Sequence, residues 1–275
     1  MIRRDLVFDL GMHRGEDTAF YLAKGLRVVG FEADPALAEL CRTRFAGAIR
    51  AGNVEIIEGA IAPHSSSGRI AFYRNPKKTV WGTIDSDWVE RNKKFGRNAI
   101  RIEVPVVDLS AAFQAHGIPH YIKIDIEGAD HAVLDALRAL PERPRFLSIE
   151  SEKMSFARLE AELRLLRSLG YTRFAAVQQA DIGQSRVIVR DLEGNEVEYE
   201  FEEGASGVFG DDIAEWRSFE ECLRQYRTIF KLYRWFGDQP LIAMVPGGRL
   251  VRSVTRRWIV RGPLPGWYDT HASME

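Results

Sequence analysis

Near the start of the chain, Phe8-Asp9-Leu10-Gly11-Met12-His13-Arg14-Gly15-Glu16-Asp17-Thr18 sets an acid before two glycines four positions apart. Glycine lets a chain turn sharply and lets a ligand approach its backbone closely. The spacing D-x-G-x-x-x-G is not the G-x-G-x-x-G turn that seats a pyrophosphate on a helix N-terminus. A second acid, Glu32, comes 21 positions after Gly11, a separation that suits a carboxylate accepting hydrogen bonds from ribose hydroxyls. Asp9 and Glu32 together suit a cationic adenosyl ligand better than a phosphate. The plainer alternative is a tight turn with a capping acid and no ligand.

A second group of acids lies in Tyr121-Ile122-Lys123-Ile124-Asp125-Ile126-Glu127-Gly128-Ala129-Asp130. Asp125 and Glu127 follow an apolar run, and strand alternation points them the same way. Carboxylates that close push their pKa values apart and leave one more basic. Either one could then orient and deprotonate a hydroxyl. In the alternative, Asp125 only serves a cofactor and Glu127 caps the next helix. Glu150, at the end of a later strand, also reads as facing this edge, and His131 falls four positions after Glu127. His64, His116 and His120 read as ordinary edge residues. Oxygen ligands from Asp125, Glu127 and Glu150 would suit Mg²⁺, but no further ligand motif accompanies them and no metal is expected. Trp267-Tyr268-Asp269-Thr270-His271 is rich for a tail: it reads either as a cover over the pocket or as a solvated end.

The elements that would position these residues alternate. Strands are expected at 6–10, 27–32 and 53–58, separated by helices at 15–24 and from Pro35, whose apolar stripe is Leu37, Leu40, Cys41 and Phe45. This βαβ pattern builds a parallel sheet with right-handed crossovers. Further strands are expected at 69–74, 100–107, 120–125, 145–150 and 171–177. Helices are expected at 128–140, 155–169 and 218–236. Segments 186–191 and 196–201 flank Gly194-Asn195 and read as a hairpin, taken as the antiparallel edge of the sheet. Residues 75–98 read as an insertion, and 240–275 resist assignment.

The two motifs resemble those of the FkbM methyltransferases, which share F-D-x-G, a glycine four positions on, the acid after the second strand and I-K-I-D-x-E-G-x-E. The likeness covers roughly residues 5 to 180. It implies a class I methyltransferase fold: α/β, a Rossmann-like doubly wound sheet, mostly parallel, in strand order 3-2-1-4-5-7-6. It also implies S-adenosylmethionine as methyl donor and O-methylation of a sugar, glycan or secondary metabolite. The residues expected at the donor are Asp9, Gly11, Met12, His13, Gly15, Asp17, Thr18, Glu32, Ala33, Gly59, Ala60, Ile61 and Asp125. Those expected in the chemistry are Asp125, Glu127, Glu150 and His131. The family often carries Ala-Asn where this chain has Met12-His13, and Asp130 replaces its usual Glu.

The chain is expected to divide into a donor-binding domain over 1–203 and an α-helical, irregular C-terminal extension over 204–275. Trp81 and Trp88 of the insertion and Trp216, Trp235, Trp258 and Trp267 of the extension suggest an acceptor lid. Arginines at 249, 252, 256, 257 and 261 read as an acceptor contact or a solvated face. Formal net charge is −1, which argues against nucleic acid as partner. Cys41 and Cys222 read as core residues. No leader or membrane-spanning stretch is apparent, so the cytoplasm is expected. The rival readings are a non-catalytic adenosyl-binding module and a nicotinamide oxidoreductase.

Overall fold

A computed structural model of the chain describes residues 2–62, 68–75, 82–84, 99–126, 129–180, 182–236 and 267–275. β1 (Ile2–Leu10), α1 (Glu16–Ala23), β2 (Arg27–Glu32), α2 (Pro35–Arg44), a short α3 (Ala46–Arg50) and β3 (Val54–Glu58) form the expected βαβ units. Three strands, β4 (Ala60–Ile61), β5 (Arg69–Arg74) and β6 (Ile100–Val107), make a small separate sheet in the order β4-β6-β5. Then come α4 (Leu109–His116), β7 (Ile118–Ile124), α5 (Asp130–Ala139), β8 (Phe146–Glu150), α6 (Phe156–Ser168) and β9 (Arg173–Gln178). The hairpin β10 (Arg186–Arg190) and β11 (Glu196–Glu200), a two-residue β12 (Arg217–Ser218), α7 (Phe219–Phe236) and β13 (Tyr268–Ser273) complete the described elements.

The main sheet runs β12-β9-β13-β8-β7-β1-β2-β3. Without the short β12, this is the order 3-2-1-4-5-7-6, with β13 as the seventh strand. β1, β2, β3, β7 and β8 pair in parallel, and β13 is antiparallel to both neighbours, β8 and β9. The fold is therefore the doubly wound α/β sheet of class I methyltransferases.

Strand alternation sends residues to two cores. One face carries Phe8, Leu10, Ile122, Ile124 and Leu147, packed under α4, α5, α6 and α7 through Phe113, Leu134, Leu163 and Tyr226. The other carries Val7, Val28, Tyr121 and Phe146, packed under α1 and α2 through Phe20, Tyr21 and Cys41. Cys222 lies in the first core, so both cysteines are interior residues. Leu40 is exposed instead, and Leu37, Ala38 and Cys41 form the buried side of α2.

Two expectations need correction. The hairpin β10–β11 is not an edge of the main sheet but a sheet of its own. It lies on α1, where Phe20 meets Tyr199 and Phe201 at ring centroids of 5.0 and 4.8 Å. Its strands alternate a covered face with an exposed one, whereas a strand of a sheet clothed on both sides must be apolar on both. Nor do residues 204–275 merely extend the fold, because β13 lies inside the sheet with all six residues buried. His271 is thus neither solvated nor over a pocket: it sits in the sheet with 1% of its surface exposed. Trp81, Trp88, Trp258 and His64, together with the five tail arginines, lie outside the described residues.

Candidate functional site

The turn after β1 takes its shape from three residues in the left-handed region: Gly11 (φ 84°), His13 (φ 51°) and Gly15 (φ 81°). Gly11 and Met12 both donate their N–H groups to the Phe31 carbonyl at 3.0 Å, and Gly15 N–H closes the turn on Met12 O at 2.7 Å. A Cβ on Gly11 would stand 1.9 Å from the Asp125 carbonyl oxygen, so only glycine lets the turn lie against the end of β7. Left-handed backbone is tolerated by Asn and His among non-glycine residues, which accounts for His13 at this point of the turn. The Cys41 thiol donates to the His13 carbonyl at 3.2 Å. Burial pushes that thiol up to about 12, so it braces the turn as a neutral group.

The turn opens onto a cleft between β1, β2, the small sheet and the end of β7. Gly11, Met12, His13, Asp17, Glu32, Ala33, Gly59, Ala60, Ile61 and Asp125, all expected at a cofactor, line it. Asp9, Gly15 and Thr18 do not. Thr18 donates to Asp9 Oδ2 at 2.7 Å beneath the cleft, and Gly15 packs against the Phe45 ring. Burial raises the Asp9 pKa to about 6, with Lys123 opposing the shift and Asp17 adding to it.

At the end of β2, Glu32 accepts His13 N–H on Oε2 at 2.9 Å and Asp34 N–H on Oε1 at 2.8 Å. Each oxygen keeps a lone pair for the cleft. Burial raises this carboxyl to about 7 despite those two donors. At the start of α1, Glu16 accepts from Arg14 N–H at 3.1 Å and lies 3.2 Å from His13 Nδ1. Burial works against its charge, but His13 and the backbone donors outweigh it and hold its pKa below the usual range. Asp17 accepts Ser206 N–H at 2.7 Å and pairs with Lys123 Nζ at 2.8 Å, and Lys123 reaches Asp125 at 3.2 Å. Burial opposes the Lys123 charge, but Asp17, Asp125 and Asp9 raise its pKa well above normal.

The opposite wall is apolar: Leu37, Ile61, Phe72 and Ile84 with Gly82 and Thr83. Here the small sheet and the described part of the insertion close over the main sheet. Thr83 pairs with Tyr73 to hold that wall in place.

The expected chemical residues separate. Asp125 lines the cleft with 42% of its side chain exposed. Glu127 lies outside the described residues. Glu150 stands beside the cleft without lining it and pairs with Lys153 at 3.2 Å, and burial and Asp125 raise its pKa. His131 is exposed on α5, outside the lining. Sequence reading gave no role to Lys123, which hides in an apolar strand, to Phe72, which lies in the expected strand 69–74, or to Thr83 and Gly204, which fall outside the expected strands and helices. Among the described residues no group of acids, histidines and cysteines could hold a metal ion, and no helix is long and apolar enough to cross a membrane.

Residues 9–173, more than half of the chain, match the family model of the methyltransferase FkbM domain. The chain belongs to the FkbM methyltransferase family. The FkbM domain thus holds the turn, Glu32 and Asp125, and the protein is a methyltransferase. No curated protein matches it. Among solved structures it is similar to the methyltransferase FkbM from Methylobacillus flagellatus, at 20% identity over 61% of this chain and 38% of that one, TM-score 0.36. It is also similar to the C-terminal domain of precorrin-6Y C5,15-methyltransferase from Rhodobacter capsulatus, at 11% identity over 73% and 77%, TM-score 0.38. The corresponding enzyme from Geobacter metallireducens gives 14% identity over 73% and 77%, TM-score 0.33. The fold assignment rests on strand order and pairing, not on these likenesses.

Proposed function

We propose that the cleft binds S-adenosylmethionine and that the enzyme moves its methyl group to a hydroxyl of a sugar, glycan or secondary metabolite, acting in the cytoplasm without a nucleic-acid partner. The observation that carries the donor assignment is the charge of the cleft. Glu16, Asp17, Glu32 and Asp125 line it against a single lysine, Lys123. A sulfonium and an ammonium suit such a surface. A pyrophosphate does not, because the start of α1, where an anion would sit, presents its own Glu16 and Asp17. The two free lone pairs of Glu32 suit a ribose diol, and the apolar Ile61 and Phe72 of the lining suit a flat base. The residues therefore fit the group.

Bound there, S-adenosylmethionine supplies a methyl carbon on a good leaving group. The chain supplies position. Alignment of an acceptor oxygen against such a carbon contributes about 7–11 kcal/mol of the barrier. Asp125, at the open end of β7, is placed to hold the acceptor hydroxyl, with Lys123 fixing its orientation from below. Titration calorimetry with S-adenosylmethionine, S-adenosylhomocysteine, NADH and NADPH tests the donor: heat from the adenosyl pair alone is expected, and heat from a nicotinamide alone would replace this reading with the oxidoreductase. Deuterated methyl donor with a panel of glycosides, read by mass, tests the acceptor. Tight donor binding with no transfer to any glycoside or phenol would favour a non-catalytic module.

A further inference from the structure

Asp269 has no part in the reading above, yet its position is unusual. It lies on β13 directly opposite Glu150 of β8. Asp125 follows Ile124, which pairs with Ile149 of β8, so it stands level with Glu150 on the other side. Paired residues on adjacent strands point to the same face, about 4.8 Å apart. Asp125, Glu150 and Asp269 therefore form a row across three neighbouring strands, at the carboxyl ends of β7 and β8 and the amino end of the antiparallel β13. The first two have partners, Lys123 and Lys153. Asp269 is 8% exposed, and its carboxyl makes no hydrogen bond or ion pair with any described residue. A buried carboxyl that braces nothing is a cost to the fold. β13 also lies beyond the segment 9–173 that matches the family model.

We propose that Asp269 is the acceptor-side carboxyl of the transfer: it gives up its proton when the positive donor enters the neighbouring cleft, and then takes the proton of the acceptor hydroxyl. This rests on the S-adenosylmethionine reading above. In the transfer, the acceptor oxygen forms the C–O bond with a lone pair, the C–S pair returns to sulfur to leave a neutral thioether, and the hydroxyl proton passes to the Asp269 carboxylate. The groups facing Asp269 are Asp125 and Lys123 of β7, Glu150 of β8 and Asp17 of α1, with His271 two residues along its own strand. Burial, then Asp125, with Glu150 and Asp17, hold its pKa well above the carboxylate range, against Lys123. Burial beside two carboxylates favours the neutral form in the free protein, and a cation nearby favours the anion.

Protons released on binding provide a readout that needs no acceptor. S-adenosylmethionine and S-adenosylhomocysteine are titrated into the full chain at neutral pH, each in phosphate and in Tris, whose ionisation heats differ. The two compounds differ only by the methyl group and its charge, so effects of Glu32 on the shared ribose cancel in the difference. S-adenosylmethionine is expected to release on the order of half a proton more per site than its demethylated product. Asp269→Asn should lose that excess while binding S-adenosylhomocysteine within about threefold of the unsubstituted chain, and Asp269→Glu should keep it. Asp269→Ser is read in the same way should the asparagine variant not fold. Equal release from both compounds, or an excess that survives Asp269→Asn or Asp269→Ser, overturns the proposal while leaving the donor site intact. Failure of both compounds to bind overturns the donor reading and this one with it.

Discussion

Around β1 and β2, every carboxylate that lines the cleft has a partner: Glu32 two backbone N–H groups, Glu16 the Arg14 N–H and His13, Asp17 the Ser206 N–H and Lys123. Around β13, Asp269 has none among the described residues, and both ring nitrogens of His271 are buried without one. The first region lies within the segment that matches the family model and the second lies beyond it. A site whose polar groups are already paired is pre-organised for one ligand and loses little freedom when it binds. Unpaired polar groups weaken the fold and are retained where something else meets them. The cleft around β1 and β2 is thus paired in advance, and the edge at β13 keeps polar groups that nothing in the described residues meets.

The largest effect should come from Gly11→Ala. The added carbon meets the Asp125 carbonyl at 1.9 Å in a left-handed backbone, and the turn cannot keep its place on β7. Donor affinity should fall beyond about a thousandfold, roughly 4 kcal/mol, by titration calorimetry. A loss under tenfold would mean that the turn is softer than it looks.

His271 sharpens the other side. Burial lowers its pKa to about 4 from 6.5. Between those values the unfolded chain binds more protons than the folded one, so stability rises with pH across that window and is lost as pH falls through it. The full span corresponds to about 3 kcal/mol. His271→Leu should flatten this slope in denaturant titrations at pH 4.5 and 7; an unchanged slope would show that the ring is solvated.

Glu32 has the opposite sign. Its folded pKa of about 7 lies above the ordinary 4.5 of a glutamate, so its contribution to stability is present below pH 4.5 and is lost as pH rises through 7. Donor binding needs the anion, however, and affinity should weaken as pH falls below about 7. Glu32→Gln should cost about ten- to a hundredfold in affinity, roughly 1.4–2.7 kcal/mol, and remove that pH dependence. The smallest effect belongs to Lys153, which pairs with Glu150 at 3.2 Å and lies 4.6 Å from the centroid of the exposed Trp267 ring. Such rim pairs are screened by salt. Lys153→Met should change stability by less than about 0.5 kcal/mol and leave donor affinity alone.

Much of the cleft around β1 and β2 could be read from the sequence because its signals are local. Apolar runs end at glycines, an acid follows each of the first two strands, and the turn needs Gly11 where the spacing puts it. The helix α4 was missed although its signals were present: Asp108 caps it by accepting Ser110 N–H at 2.9 Å, and Gly117 ends it at φ 87°. β13 carried no such signal. Its Asp269, Thr270, His271 and Ser273 look like a solvated tail, and Thr270 can be buried only because its hydroxyl meets Ser151 at 2.8 Å and Tyr226 at 2.7 Å. Those partners lie 119 and 44 positions away, beyond the reach of any periodicity. The hairpin was recognised from its turn but misplaced, because a turn fixes which strands pair and says nothing of what they pack on.

The place of β13 also sets the order in which the molecule can be assembled. β8 and β9 have no hydrogen bonds to each other; each pairs with β13 instead. On a ribosome, both strands emerge some ninety or more residues before the segment that joins them, and until then two bare edges face each other across a gap about one strand wide. Such edges invite pairing with other chains. The sheet is therefore most vulnerable until residues 268–273 have emerged, and a message cut short before residue 268 would yield a sticky, unclosed sheet rather than a smaller enzyme.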